Sequence, residues 1–288
     1  MGLARLVPRR EPSRRTRIVG ILNLTPDSFH DGGVDPTPLA AVARARAMVE
    51  AGADAIDLGA ESTRPGAEPV SAARELERLL PVLEGLCNLG VPLSVDTTKA
   101  EVAAHAIESG AAIVNDVSGL TADPEMAAVC ASTGAGLVLM HRRGDPRTMR
   151  SLTDYDDVVD ETRRFLADAM ERAVRAGVDA ERIVIDPGLG FAKTADQNLE
   201  ILRRLGEYRP LGRPVLVGAS RKSFLARFDA PATEDRLEGT LATTVLAVLG
   251  GASLVRVHDV LENRRAILVT EAVLEAPIAG EGARGAER

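Results

Sequence analysis

The sequence predicts an α/β chain folded as a single (β/α)8 TIM barrel. Three observations carry that reading. Eight short apolar runs recur along the chain, each followed by residues at helical spacing, and most runs stop abruptly at a polar or charged residue. The length, 288 residues, suits one barrel domain of roughly 250 residues. Eight such units close naturally into a barrel whose site lies at the C-terminal mouth, where the βα loops meet. An open doubly wound sheet is the alternative, but no GxGxxG fingerprint follows a strand.

Taken in order, Ile18 to Leu22 is apolar except for Gly20 and stops at Asn23, as a buried parallel strand with a polar loop at its end does. Pro38 to Val49 has helical spacing, and Gly52 ends it. Ala55 to Leu58 is the second strand. Ser71 caps a helix to about Leu89, and Val91 to Val95 is a strand ending at Asp96. A helix over Ala100 to Ser109 precedes Ile113 and Val114, which run into Asn115. A helix from Pro124 to Thr133 leads to the strand Leu137 to Met140, which meets His141. After a helix from about Asp156 to Ala176, Ile183 to Ile185 ends at Asp186, and a helix covers Ala195 to Gly206. Pro214 to Val217 is the seventh strand, and Arg236 to Leu249 is a helix apolar enough to be buried against its neighbours. Leu254 to Val257 is the eighth strand, interrupted by Arg256, and Val260 to Leu274 is the last helix. The domain is therefore expected over 18 to 275, between a basic disordered tail at 1 to 17 and a disordered Gly/Ala/Glu/Arg tail at 276 to 288.

Composition narrows the function. Against 35 basic residues stand 42 acidic ones, so the net charge of −7 argues against nucleic-acid and anionic-membrane partners. No apolar run approaches the roughly 18 residues of a membrane span, and none near the N-terminus resembles a signal peptide. A cytoplasmic protein is expected. Cys87 and Cys130 lack CxxC spacing and are read as buried thiols of a reducing compartment. Lysine is rare: Lys99, Lys193 and Lys222, all in loops after apolar runs, mark places that do not suit a guanidinium.

Nine residues gather at or beyond the strand ends: Asn23, Arg64, Asp96, Asn115, His141, Asp186, Lys222, Arg256 and His258. Any one of them is explained by a helix cap or a solvated loop; nine convergent positions are not. Asp96 and Asp186 each end an apolar strand, and a carboxylate so deep needs hydrogen-bond donors to stay charged. A flat heterocycle with an amidine-like N–H edge supplies such donors, and Asn115 can read the same edge. Lys222, Arg256 and His258, expected opposite the acids, come from units seven and eight, where barrels often hold phosphate. The expected ligand is a planar ring with a phosphorylated arm. Phe29 and Phe191 are candidates to stack on the ring, with core packing the alternative for each. Zinc spacing is missing among His30, His141 and His258. A magnesium ion bridging Asn23 to a diphosphate suits the donors better. Asp57, inside the second strand, reads as a buried, paired structural carboxylate.

Nine ordered blocks together carry a resemblance: IVGILNLTPDSFHDGG (18 to 33), DLGAESTRPGA (57 to 67), LSVDTTKAEVA (93 to 103), IVNDVSG (113 to 119), LVLMHRRGDPRTM (137 to 149), IVIDPGLGFAKT (183 to 194), LVGASRKSFL (216 to 225), RLEGTLAT (236 to 243) and RVHDV (256 to 260). Over residues 18 to 274 the chain resembles dihydropteroate synthase. The resemblance implies condensation of 6-hydroxymethyl-7,8-dihydropterin diphosphate with 4-aminobenzoate, magnesium as cofactor and a homodimer. Position by position it implies that Asp96, Asn115, Asp186 and Lys222 hold the pterin. Asn23, Thr63, Arg256 and His258 would take the diphosphate, with Asn23 on the metal. Phe29, Asp31, Thr63, Arg64, Pro65 and Ser223 would form the 4-aminobenzoate pocket, where sulfonamides compete.

The implied chemistry is loss of diphosphate to a pterin methylene cation, then attack by the aryl amine, with Asp96, Asp186, Lys222 and Arg256 as the catalytic set. Three positions depart from the family's usual residues and bear on loop geometry: His30 for a small hydroxyl residue, Ala60 for glycine and Thr98 for an aromatic. A pterin-binding methyltransferase barrel is one competing reading, but it has no use for the SRK and RVH phosphate group sets. A degenerate pterin-binding paralogue is another, and it would be expected to lack Asn23, Arg256 or Lys222; all three are present.

Overall fold

A computed structural model describes residues 15–25, 37–228, 232–233 and 236–276. Phe29, His30 and Asp31, and most of both expected tails, lie outside the described residues.

Eight parallel strands form the barrel: β1 (Arg17–Asn23), β2 (Ala55–Gly59), β3 (Leu93–Asp96), β4 (Ile113–Asp116), β5 (Gly136–Met140), β6 (Ile183–Asp186), β7 (Leu216–Val217) and β8 (Leu254–Val257). Their hydrogen-bonded order is β6-β5-β4-β3-β2-β1-β8-β7. A single parallel bridge, Ile185 to Val215, closes the ring between β6 and β7. β7 has only two residues because Pro214 has no N–H to donate on one side and Gly218 follows on the other.

Between the strands run α1 (Pro38–Ala51), α2 (Ala72–Leu86), α3 (Ala100–Glu108), α4 (Met126–Thr133), α5 (Val158–Arg175), α6 (Ala195–Arg203), α7 (Leu237–Gly250) and α8 (Val260–Glu275). Local chemistry fixes several starts. Thr37 caps α1 with Pro38 in its first turn, Asp157 accepts from Val159 and Asp160 N–H groups, and Thr194 with Gln197 makes a reciprocal capping box. Where α6 was expected to reach Gly206, it stops at Arg203 and a 3-10 stretch (Leu205–Leu211) containing Pro210 takes over.

Inside the barrel, Val19, Ala55, Ile113, Val138, Val184, Leu216 and Leu254 form an apolar plug below the mouth. A larger core, including Leu22, Ile56, Leu58, Leu83, Leu137 and Ile185, fills the layer between sheet and helices. Each such fully buried aliphatic side chain contributes about 1.5–3 kcal/mol, so the frame beneath the mouth is firmly packed.

Four expectations are corrected. Cys87 is exposed, because it caps α2 rather than facing the core; Cys130 is buried as expected. α7 is not buried all round: Leu246 and Leu249 are about half exposed. α2 ends three residues before Leu89. Order begins ahead of Ile18, since Thr16 is buried with its N–H donated to Glu271, and Arg17 pairs with Asp54 at 3.0 Å. Among the described residues no helix is long and apolar enough to cross a membrane.

Candidate active site

Parallel register sets the rim. Asn23 lies beside Gly59, Gly59 beside Asp96, and Asp96 beside Asn115, so four neighbouring strands end at one level. Gly59 leaves room there: a Cβ on it would stand 3.7 Å from both Asn23 Oδ1 and Asp96 Oδ2. On the far side Gly218 plays the same part. A Cβ on it would stand 3.9 Å from Asp186 Oδ2, 3.9 Å from Lys222 Nζ and 3.8 Å from Arg256 Cβ. Asp186, Lys222 and Arg256 therefore meet around one glycine.

Arg256 joins the two sides. Its Nη2 donates to Asp96 Oδ2 at 2.8 Å and its Nε to Asp57 Oδ2 at 2.6 Å, and Asn115 Nδ2 donates to the same Asp57 oxygen at 3.1 Å. The guanidinium expected across the mouth from the acids is instead bonded to one of them. The physical reason is burial: Asp57 is inaccessible to solvent, and a charge so placed recruits the nearest cation. Asp57 is thus buried and paired, as read from the sequence, and its partners are two site residues.

Burial also shapes the titration. It pushes the Asp96 carboxyl up to about 7 against the pull of Arg256, with Asp57 adding to the rise. It raises Asp186 too, against Lys222 and a 2.7 Å hydrogen bond from Gly188 N–H. Lys222 falls to about 8, again through burial, against Asp186. Without a ligand, these acids and this base all lean toward their neutral forms. Ring N–H donors at the carboxylates reverse that tendency by stabilising the charged form.

Next to this group stands a cationic corner. His258 accepts or donates at Nδ1 to Ser220 Oγ, 2.9 Å away, and its backbone N–H donates to the same hydroxyl at 3.1 Å. Burial takes the imidazole down to about 3, with Arg256, Arg221, Arg44 and Arg64 acting in the same direction. A neutral histidine in a positive field to which four arginines contribute, two of them ion-paired with Asp57, Asp96 and Asp259, makes this corner electrostatically favourable to an anion.

Three comparisons with known proteins place the chain in a family. The family model described as Pterin binding enzyme matches residues 19–258. The dihydropteroate synthase of Synechocystis is 51% identical over 249 residues, covering 86% of each chain. The chain belongs to the dihydropteroate synthase family of pterin-binding enzymes. Among solved structures, the dihydropteroate synthase from Clostridium difficile in the presence of pteroic acid superposes with a TM-score of 0.85 at 45% identity, covering 91% of this chain and 98% of that one. The dihydropteroate synthase from Xanthomonas albilineans with 4-aminobenzoic acid gives 0.86 at 43% identity, covering 91% and 94%.

Other residues expected at this dihydropteroate synthase family mouth fall in three groups. Thr63 and Pro65 are half-buried and Arg64 is exposed, all on the loop after β2; Ser223 is exposed directly after Lys222. Phe191 packs with Val117, Met140 and Met149, and its ring centroid lies 4.5 Å from Lys222 Nζ, so it is both core and cation seat. His141 does not join the site. Met140 pairs with Asp186, and alternation turns the next residue outward, where the imidazole meets Phe165 edge-on at 4.9 Å and Lys193 Nζ at 2.9 Å.

Sequence reasoning passed over Arg44 and the work of Lys193, and took Ser220 and Arg221 only as part of the SRK phosphate group set. Arg44 precedes the buried Met48 by one turn of α1, and that i, i+4 spacing from a core residue was the available signal. Arg221 follows the expected strand end and pairs with Asp259 through two of its nitrogens, at 2.9 Å from Nε. Lys193 is buried, and burial lowers its pKa well below the usual lysine value; its Nζ donates to Gly188 O and Phe191 O, each at 3.0 Å, and shares a hydrogen bond with His141 Nδ1 at 2.9 Å. Three partners converging on a single nitrogen suit a lysine and not a planar guanidinium.

Proposed function

We propose that the chain condenses 6-hydroxymethyl-7,8-dihydropterin diphosphate with 4-aminobenzoate, giving 7,8-dihydropteroate and diphosphate. The observation that carries this is the convergence of Asp96, Asp186, Asn115, Lys222 and Arg256 on one mouth, directly beside the His258 cationic corner. A ring with several N–H donors and an anionic arm satisfies both halves at once.

In this reading Asp96 and Asp186 accept N–H bonds from the pterin, Asn115 reads the same edge and Lys222 donates to it. Arg256, His258, Asn23 and Thr63 take the diphosphate. Thr63, Arg64, Pro65 and Ser223 receive 4-aminobenzoate, joined by Phe29 and Asp31. The carbon–oxygen bond between the pterin methylene and the diphosphate breaks, and its electron pair leaves with the diphosphate. The methylene cation left behind is stabilised through the ring by the two carboxylates, while Arg256 neutralises charge on the leaving group. The amine nitrogen of 4-aminobenzoate then bonds to the methylene carbon and releases a proton to the diphosphate or to solvent. No enzyme nucleophile is required.

Magnesium fits the donor set. Asn23 Oδ1 at the rim is one hard oxygen close to Asp96, and magnesium commonly takes few protein ligands when a substrate supplies phosphate oxygens. Among the described residues no cluster of three His, Cys, Asp or Glu side chains could hold a metal by itself. When bound, the ion adds positive charge at the diphosphate.

The proposal includes a homodimer. α7 and α8 share an apolar groove of about 710 Å³ that includes Leu241, Val245, Leu249, Val269 and Val273. Val269 and Val273 are 65% and 70% exposed, and so large an apolar face suits a second copy of the chain. The activity is tested by mixing the protein with magnesium, pterin diphosphate and radiolabelled 4-aminobenzoate. Absence of labelled dihydropteroate overturns the reading.

A further inference from the structure

The third lysine, Lys99, stands outside the mouth. It precedes α3, three residues after Asp96, and makes no side-chain cap for that helix. Its Nζ instead donates to Glu61 Oε2 at 2.6 Å and to Glu75 Oε2 at 2.8 Å. Glu75 lies in the first turn of α2 and is fully buried, and burial pushes its carboxyl up.

Glu61 acts on the loop after β2. While Oε2 meets Lys99, Oε1 accepts from Val70 N–H at 2.8 Å, so one side chain joins the start of the loop to its end. Arg78 Nη1 donates to Ala60 O at 2.8 Å, and Gly66 N–H donates to Pro146 O at 2.7 Å on the loop after β5. Thr63, Arg64 and Pro65 are strung between these anchors. Through Lys99, the exit of the strand bearing Asp96 is tied to the loop that carries them.

We infer that Lys99 and Glu61 are positioning residues for the amine substrate: they seat the 60–70 loop so that Thr63 and Arg64 stand at the mouth. This rests on the assignment of that loop to 4-aminobenzoate. A counter-ion for Glu75 alone would explain Lys99, but it would not explain Glu61, which is only half-buried and bonds the loop with its other oxygen.

Glu61→Ala separates the two, because it leaves the Lys99–Glu75 pair and hence the fold in place. The expected result is a KM for 4-aminobenzoate raised at least about fivefold, with KM for pterin diphosphate changed by less than about twofold. Amide exchange across 60–70 quickens, and Glu61→Gln, which keeps an acceptor oxygen, recovers most of the loss. Lys99→Met made together with Glu75→Gln gives the same split and adds little on top of Glu61→Ala. Arg64→Ala is measured alongside. If Arg64→Ala raises KM for 4-aminobenzoate and Glu61→Ala does not, the positioning role is overturned and the loop assignment stands. If neither raises it, the loop assignment fails and takes the inference with it. A rise in both KM values for Glu61→Ala marks general damage and also overturns the inference.

Discussion

At the scale of single residues, burial moves the two acids of the mouth toward their neutral forms, and ring N–H donors of the proposed ligand would favour the charged ones. Asp186→Asn and Lys222→Ala each remove one partner from the Gly218 meeting point, and steady-state turnover should fall at least about hundredfold in either variant. Near-normal rates would refute the roles given to both. Lys222 also sets a pH limb. With its pKa lowered to about 8, it carries a proton at pH 7 and loses it above 8, so kcat/KM for pterin diphosphate should decline as pH rises through 8. Lys222→Met should abolish that limb while lowering the plateau. The identities of these residues were legible from where the apolar runs stop. The bonding of Arg256 to Asp57 and Asp96 was not, because it depends on which way two strands 199 positions apart direct their side chains.

At the scale of elements, the turn after β6 is built as tightly as the strand it follows. Gly188 has φ +73°, and a Cβ on it would fall 2.0 Å from the His141 carbonyl oxygen, so no other residue fits. Lys193 then pins the turn from below through three hydrogen-bond partners, and the Thr194–Gln197 capping box starts α6 at once. Lys193→Met should strip Phe191 O and His141 of that partner, leave Gly188 O with only the Phe191 N–H, and lower stability by about 2 kcal/mol in urea titration. Catalysis should suffer too, since the same turn supplies Leu189 O to Lys222. Sequence pattern located this element and flagged its lysine. It also drew His141 into the site, an error of one residue in a period of two, since the neighbour Met140 is the one paired with Asp186. Loops whose form rests on long-range ties, such as Glu61 to Lys99, carry no periodic signal at all.

For the whole molecule, the length and the eight alternating units were enough to specify a barrel, because parallel strands joined by helices have few ways to close. What patterning could not show was the exposed apolar face on α7 and α8, since an apolar helix reads alike whether its apolar residues are covered or exposed. If the proposed homodimer forms through that groove, Val269→Asp places a charge in its middle and should give monomers in sedimentation where the unaltered chain gives dimers, with the barrel still folded by circular dichroism.

The ring is least secure where Ile185 meets Val215, its one ladder rung between the sixth and seventh strands. Asp186 ends one of those strands and Lys222 follows the other, so a bicycle gripped by both laces the opening from above. If the pterin binds as proposed, occupancy should stiffen this joint as a staple would, and amide exchange at Ile185 and Leu216 should slow when pterin diphosphate is added.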